Sequence, residues 1–182
     1  MRKKVDQLAA SLLEEHGIRE PAVPIESIAR AEGATIARNH FDGPQSGFAL
    51  RSANGDWVIG VNTSTSPRRQ RFTIAHELGH LMLHEGDLIV DRFVRAHFRE
   101  NVGRISYRDE VSSLATNSEE IEANRFAAEI LMPREMVLEE AAALLEAEQM
   151  GRDELIKELA DLFEVSTDAM GFRLVNLSIL VP

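Results

Sequence analysis

There is no cysteine in this chain, which excludes disulfides and thiolate ligands, so any metal has to be held by His, Asp or Glu. Positive charge is in deficit: 20 Lys and Arg against 30 Asp and Glu give a net charge of −10, and the pI is near 5.1. Binding nucleic acid through its phosphates needs a concentrated basic surface, so this balance argues against direct nucleic-acid contact. No apolar run approaches the length that spans a bilayer, and the opening MRKKVDQLAASLLEEHG interrupts its would-be apolar stretch with acids and Gln. That stretch reads as an amphipathic helix and not as a secretion signal, and the expected location is the cytoplasm. Internal repeats, low-complexity tracts and Gly/Ser-rich linkers are also missing.

What is present is a chain of 182 residues, 44% apolar and 27% charged, enough for one core or one core with a small appended subdomain. Val5, Leu8, Leu12 and Leu13 recur at helical spacing before Gly17 and predict a helix over roughly 3–16. Pro24 opens a short second helix carrying Ile25, Ile28 and Ala29, which Gly33 stops. ATIAR, SGFALR and DWVIGV follow as three short strands, expected to form an antiparallel sheet, with Asn54-Gly55 supplying a tight hairpin between the last two. Ser66-Pro67 caps and starts a helix running to about His84. From Glu85 to about Asn117 no periodicity lasts, although LIVDRFV could be a strand. SEEIEANRFAAEILM is helical up to Pro133, and three further helices are expected at about 134–149, 152–163 and 167–176, the last capped by Ser166. The change at Pro133 from mixed α/β to helix alone divides the chain into a core over 1–133 and a helical subdomain over 134–182 packed on it.

RFTIAHELGH, residues 71–80, places two histidines four apart with a glutamate directly after the first. With His76 at 0° on a helical wheel, His80 falls at about 40° and Glu77 at about 100°, whereas Ile74, Leu78 and Leu81 lie at about 140–200°. The histidines therefore face away from the core stripe. Two imidazoles one turn apart can take two corners of a tetrahedral zinc, and a glutamate one residue on sits beside the reacting water without ligating, as a general base must. Without Glu77 the pair would read as ordinary solvated histidines; with it, the stretch is a metal-dependent hydrolytic motif. Gly79 costs about 1 kcal/mol against alanine inside a helix, which asks for a packing or access reason.

A zinc of this kind takes a third protein ligand and keeps a fourth position for water. His84 shares the face but lies about 12 Å along the axis from His76, too far to ligate the same ion, and suits the negative end of the helix. His97 falls in the segment without periodicity. In SEEIEANRFAAEILMP, with Glu119 at 0°, Phe126, Ile130, Ala123, Ala127 and Leu131 occupy an arc from about 340° through 0° to 120° that faces the core. Glu120 at about 100° and Asn124 at about 140° lie in or beside that arc, while Glu122, Arg125 and Glu129 at about 240–300° point to the solvated side. Glu119 and Glu120 both remain candidates, and Glu120 has Asn124 one turn on, able to hydrogen-bond a ligating histidine. Ala123 and Ala127 are small enough to let this helix approach the HELGH helix closely.

RFTIAHELGHLMLH together with EEIEANRFAAEILMP resembles the ImmA/IrrE family of metallopeptidases, in particular its short stand-alone members, with looser likeness in PIESIARAEG, WVIGVN and LADLFEVSTDAMGFRL. HExxH alone is shared by many unrelated zinc peptidases; the second segment is much more specific. The resemblance implies an α+β, minimal thermolysin-like fold, with the metal between two helices and a small antiparallel sheet to one side. It implies His76, His80 and Glu120 as ligands of zinc, with manganese as the alternative, and Glu77 as catalytic base. It also implies a substrate, a helix-turn-helix transcriptional repressor whose cleavage derepresses mobile-element, toxin–antitoxin or stress-response genes.

LADLFEVSTDAMGFRL itself has the cadence of a helix-turn-helix, but its last helix offers only Arg173 among Glu158, Asp161, Glu164 and Asp168, so packing is expected there and not DNA contact. WVIGVN is the expected sheet edge for an extended substrate. Tyr107 and His97 are the candidates for stabilising the oxyanion; Arg92, Arg95, Arg99, Arg104 and Arg108 around them read as a solvated mixed-charge loop. Two rival readings stand beside the peptidase: a non-catalytic metal-binding regulator of a repressor or antitoxin, and a hydrolase acting on something other than a peptide.

Overall fold

In chain order the elements are α1 (Arg2–Glu15), α2 (Ile25–Ala31), β1 (Ala34–Asn39), β2 (Gly47–Arg51), β3 (Trp57–Asn62), α3 (Pro67–Leu83), β4 (Leu88–Ile89), α4 (Ser113–Leu131), α5 (Arg134–Ala147), α6 (Arg152–Leu162) and α7 (Thr167–Asn176). They come from a computed structural model that describes residues 2–42, 46–51, 55–84, 88–89, 113–147 and 150–181. His97, Tyr107 and the arginines of 92–108 lie outside the described residues. The architecture is α+β, as the sequence implies.

The sheet has the order β1-β3-β2-β4, with β2 antiparallel to both β3 and β4. Gly55, at φ +89°, supplies the left-handed turn residue between β2 and β3. One pairing differs from expectation: β1 runs parallel to β3, from Ala34 opposite Trp57 to Asn39 opposite Asn62. β3, the WVIGVN strand, is thus an interior strand and not the free edge expected for it. Its composition gives the reason, since Ile59, Gly60, Val61 and Asn62 are all buried. So apolar a strand would invite aggregation at an edge and is protected by neighbours on both sides.

Asn62 fixes the exit from the sheet. It is fully buried, its Nδ2 donates to the Phe41 carbonyl at 2.9 Å, and its Oδ1 accepts from the Ser64 backbone N–H at 3.0 Å and hydroxyl at 2.8 Å. Four residues later Ser66 caps α3 by accepting from the Arg69 N–H, with Pro67 at the first helical position. On the other side of the sheet's first strand, Glu26 of α2 binds both Arg30 and Arg38, tying α2 to β1.

α3 and α4 form the centre of the molecule. Ile74 and Leu78 of α3 pack with Phe126, Ala127, Ile130 and Leu131 of α4 in one buried cluster that also takes Val5 and Leu12 of α1, Leu155 and Leu159 of α6, and Met170 and Leu174 of α7. Each fully buried Leu, Ile or Phe contributes about 1.5–3 kcal/mol, so this cluster decides how the helices sit.

The flank of α4 assigned to solvent by the wheel is covered. Arg125 binds Asp6 of α1 through Nε at 2.7 Å and Nη2 at 2.8 Å. Glu129 accepts two hydrogen bonds from Arg173 of α7, at 2.7 and 2.6 Å, and Arg173 Nε donates to the Met132 carbonyl. Glu122 lies 3.2 Å from His84. Glu122 and Glu129 are therefore not the solvated charges expected, because a wheel records one helix and the partners come from other segments. Among the described residues, no helix is long and apolar enough to cross a membrane.

Candidate metal centre

Helix periodicity puts His76 and His80 one turn apart on α3, and the packing of α4 brings Glu120 opposite them. The two Nε2 atoms are 3.1 Å apart; His76 Nε2 lies 3.3 Å from one Glu120 oxygen and His80 Nε2 lies 3.2 Å from the other. Among the described residues this is the group whose ligand atoms all fall within 4.8 Å of one another. Ligands held about 2.0–2.1 Å from a tetrahedral zinc are separated by about 3.3 Å, the tetrahedron's edge, so the spacing and the N,N,O donor set fit such an ion. Glu119, the alternative third ligand, is not part of the group.

Gly79 explains how α4 comes so near. A Cβ at that position would lie 2.9 Å from Phe126 Cδ1 and 3.3 Å from the Ala123 Cα, so only glycine lets the helices close at this level. Ala123 and Ala127, both fully buried, serve the same approach from the other side.

The charges around the group are consistent with metal binding. Hydrogen bonds from His76 and His80 outweigh burial and hold the Glu120 carboxyl well below the usual carboxylate range, leaving it an anionic ligand. Burial, which the Glu120 hydrogen bond opposes, pushes His80 below the usual imidazole range, favouring its neutral, ligating form. Burial acts the same way on His76, but the Glu120 hydrogen bond and the charges of Glu77 and Glu120 raise it overall. His76 Nδ1 lies 3.1 Å from Asn124 Oδ1, and since an amide oxygen only accepts, the ring nitrogen donates there and Nε2 is left to face Glu120. Glu77, next in sequence to His76, is only 7% exposed.

His84 and Glu122 were not read as part of the site from sequence. His84 Nδ1 is 3.2 Å from His80 Nδ1, and His84 Nε2 is 3.2 Å from Glu122 Oε2. The signal in the sequence is the third histidine at four-residue spacing in HELGHLMLH, too distant from His76 to ligate the same ion yet one turn from His80 and so able to touch a ligand.

The model of the peptidase family M78, described as the IrrE N-terminal-like domain, matches residues 29–175. The chain belongs to that family. A group of two histidines and a glutamate able to hold a metal, in an M78 chain, is consistent with a metallopeptidase. The M78 fold is shared with a solved Mycobacterium tuberculosis transcriptional regulator, which aligns with a TM-score of 0.60 at 18% identity over 95% of this chain. This chain spans 46% of that regulator's length. No curated protein matches it.

Proposed function

We propose that the chain is a zinc-dependent endopeptidase whose substrate is a helix-turn-helix transcriptional repressor, cut in the cytoplasm to derepress the genes it silences. The observation that carries this reading is the tetrahedral-edge spacing of His76, His80 and Glu120 with Glu77 beside them. The M78 family and a fold neighbour that regulates transcription support the same direction.

His76, His80 and Glu120 would hold the zinc, with manganese as an alternative. When bound, the metal supplies Lewis acidity, lowering the pKa of water toward about 7 and polarising the scissile carbonyl. Glu77 accepts a proton from the water as its oxygen bonds to the carbonyl carbon. It then delivers that proton to the amine nitrogen as the C–N bond breaks. Asn124 holds the His76 ring, so that its Nε2 stays aimed at the group. With β3 internal, a substrate adding to the sheet would use β1 or β4, the two outer strands among the described residues. Direct DNA contact by α7 is disfavoured: its one arginine, Arg173, is buried and engaged by Glu129.

The test is to incubate the zinc-loaded protein with a helix-turn-helix repressor encoded at the same locus and look for one discrete cut. Glu77→Gln should keep its zinc and lose about 100- to 10,000-fold in cleavage rate. A parent that binds the repressor tightly but leaves it whole would favour the non-catalytic regulator.

A further inference from the structure

The two ring nitrogens of His80 have different surroundings. Nε2 faces His76 and Glu120, whereas Nδ1 lies 3.2 Å from His84 Nδ1. His84 in turn places Nε2 3.2 Å from Glu122 Oε2. The side chains of His80, His84 and Glu122 are 2%, 10% and 22% exposed, so bulk water does not readily substitute for these contacts.

Hydrogen-bond chemistry constrains this line. A carboxylate only accepts, so His84 Nε2 carries a proton and donates to Glu122. The nitrogen–nitrogen contact holds only if one Nδ1 donates to the other, and with the donor on His80 the His84 Nδ1 accepts. In that arrangement His80 Nε2, which faces Glu120 and His76, is the ring nitrogen available to ligate once an ion takes the place of its proton.

We infer that His84 and Glu122 are positioning residues of the metal centre, fixing the ring orientation and tautomer of His80 through a carboxylate–histidine–histidine line. The inference rests on the metallopeptidase reading of the site. It gives α4 three roles within five residues: Glu120 ligates, Asn124 orients His76, and Glu122 orients His80 through His84. It also accounts for a helix that ends on a histidine, with His84 as the C-terminal cap residue of α3.

The test is zinc affinity of the full chain, measured by competition with a chromophoric chelator, together with thermal unfolding of the metal-free protein. His84→Ala should bind zinc about ten- to a hundredfold more weakly than the parent. His84→Asn, whose side-chain oxygen can accept from His80 Nδ1, should recover most of that loss, and Glu122→Gln should fall between the two. The metal-free Tm of the Asn and Ala variants should agree, separating orientation of the ring from folding. In the zinc-loaded parent, long-range proton–nitrogen NMR spectra should find the proton on Nδ1 of His80 and on Nε2 of His84. Parent-like affinity in His84→Ala, an Asn variant no better than Ala, or the opposite tautomer at His84 would each overturn the inference while leaving the metal site standing. A parent that takes up no zinc would overturn the metallopeptidase reading and this inference with it.

Discussion

Nε2 of His76 and Nε2 of His80 face each other at 3.1 Å. Two nitrogen lone pairs at that distance repel unless a proton or a cation lies between them, and Glu120 supplies the negative charge that such a cation needs. Removal of that carboxylate is therefore the sharpest probe of the site. Structural zinc binding is worth about 10–16 kcal/mol across its ligands, so losing one of three should weaken affinity at least about a hundredfold. Elemental analysis after gel filtration should find one zinc per chain in the parent and little in Glu120→Ala. Full retention would mean that Glu119 or another donor ligates in its place.

Gly79 sits in tight contact between α3 and α4, and the magnitudes there compete. Alanine would improve helix propensity by about 1 kcal/mol, but the added methyl meets Phe126 Cδ1 at 2.9 Å, and overpacking costs about 1–3 kcal/mol. Gly79→Ala should therefore lose stability, on the order of 1 kcal/mol, by urea denaturation. The loss should shrink in a Phe126→Leu background, because the two residues share the contact.

The Arg173–Glu129 pair is largely buried, with side chains 6% and 14% exposed. Removing one partner strands the other, so Arg173→Ala should cost about 3–5 kcal/mol, and the Met132 carbonyl loses its donor as well. Replacing both, as Arg173→Met with Glu129→Leu, should recover much of the loss in denaturant titrations. A single mutant as stable as the parent would show that α7 is held by its apolar side chains alone.

Glu26 responds to acid in a definite direction. Its hydrogen bond with Arg38, and then that with Arg30, outweigh partial burial and bring its carboxyl down to about 2. A carboxyl depressed on folding adds stability above its unfolded pKa, and that contribution disappears as pH falls through the folded value. The parent should thus lose stability between pH 4.5 and about 2 more steeply than Glu26→Gln, measured by thermal melts across that window. Parallel curves would mean that the two arginines do not hold Glu26 in solution.

The parts of this molecule legible in the sequence are those set by local chemistry. Ser66 and Pro67 announce the start of α3, the apolar arc of α4 is buried as its wheel requires, and the motif sets His76 and His80 on one helix face, while the choice of Glu120 over Glu119 comes from the family resemblance. Sheet order is not local: nothing within ATIAR says that it will lie parallel to WVIGVN, although the unbroken apolar run of the latter was a sign of an interior strand. The cover over Glu122 and Glu129 is hidden from the sequence for the same reason. Their partners, His84 and Arg173, belong to other helices, and a periodicity argument sees only the helix it is drawn on.

Arg125 and Glu129 stand one turn apart on α4 and are gripped by Asp6 and Arg173, contacts that span 119 and 44 residues of chain. Contacts of such long sequence separation form only when α1 and α7 lie against α4, so the position of α4 is a property of the assembled core and not of its own stretch of sequence. Glu120 arrives with it. An unassembled chain owns both histidines of the HELGH stretch but not the carboxylate opposite them, so the three-residue group exists only once the helices have met.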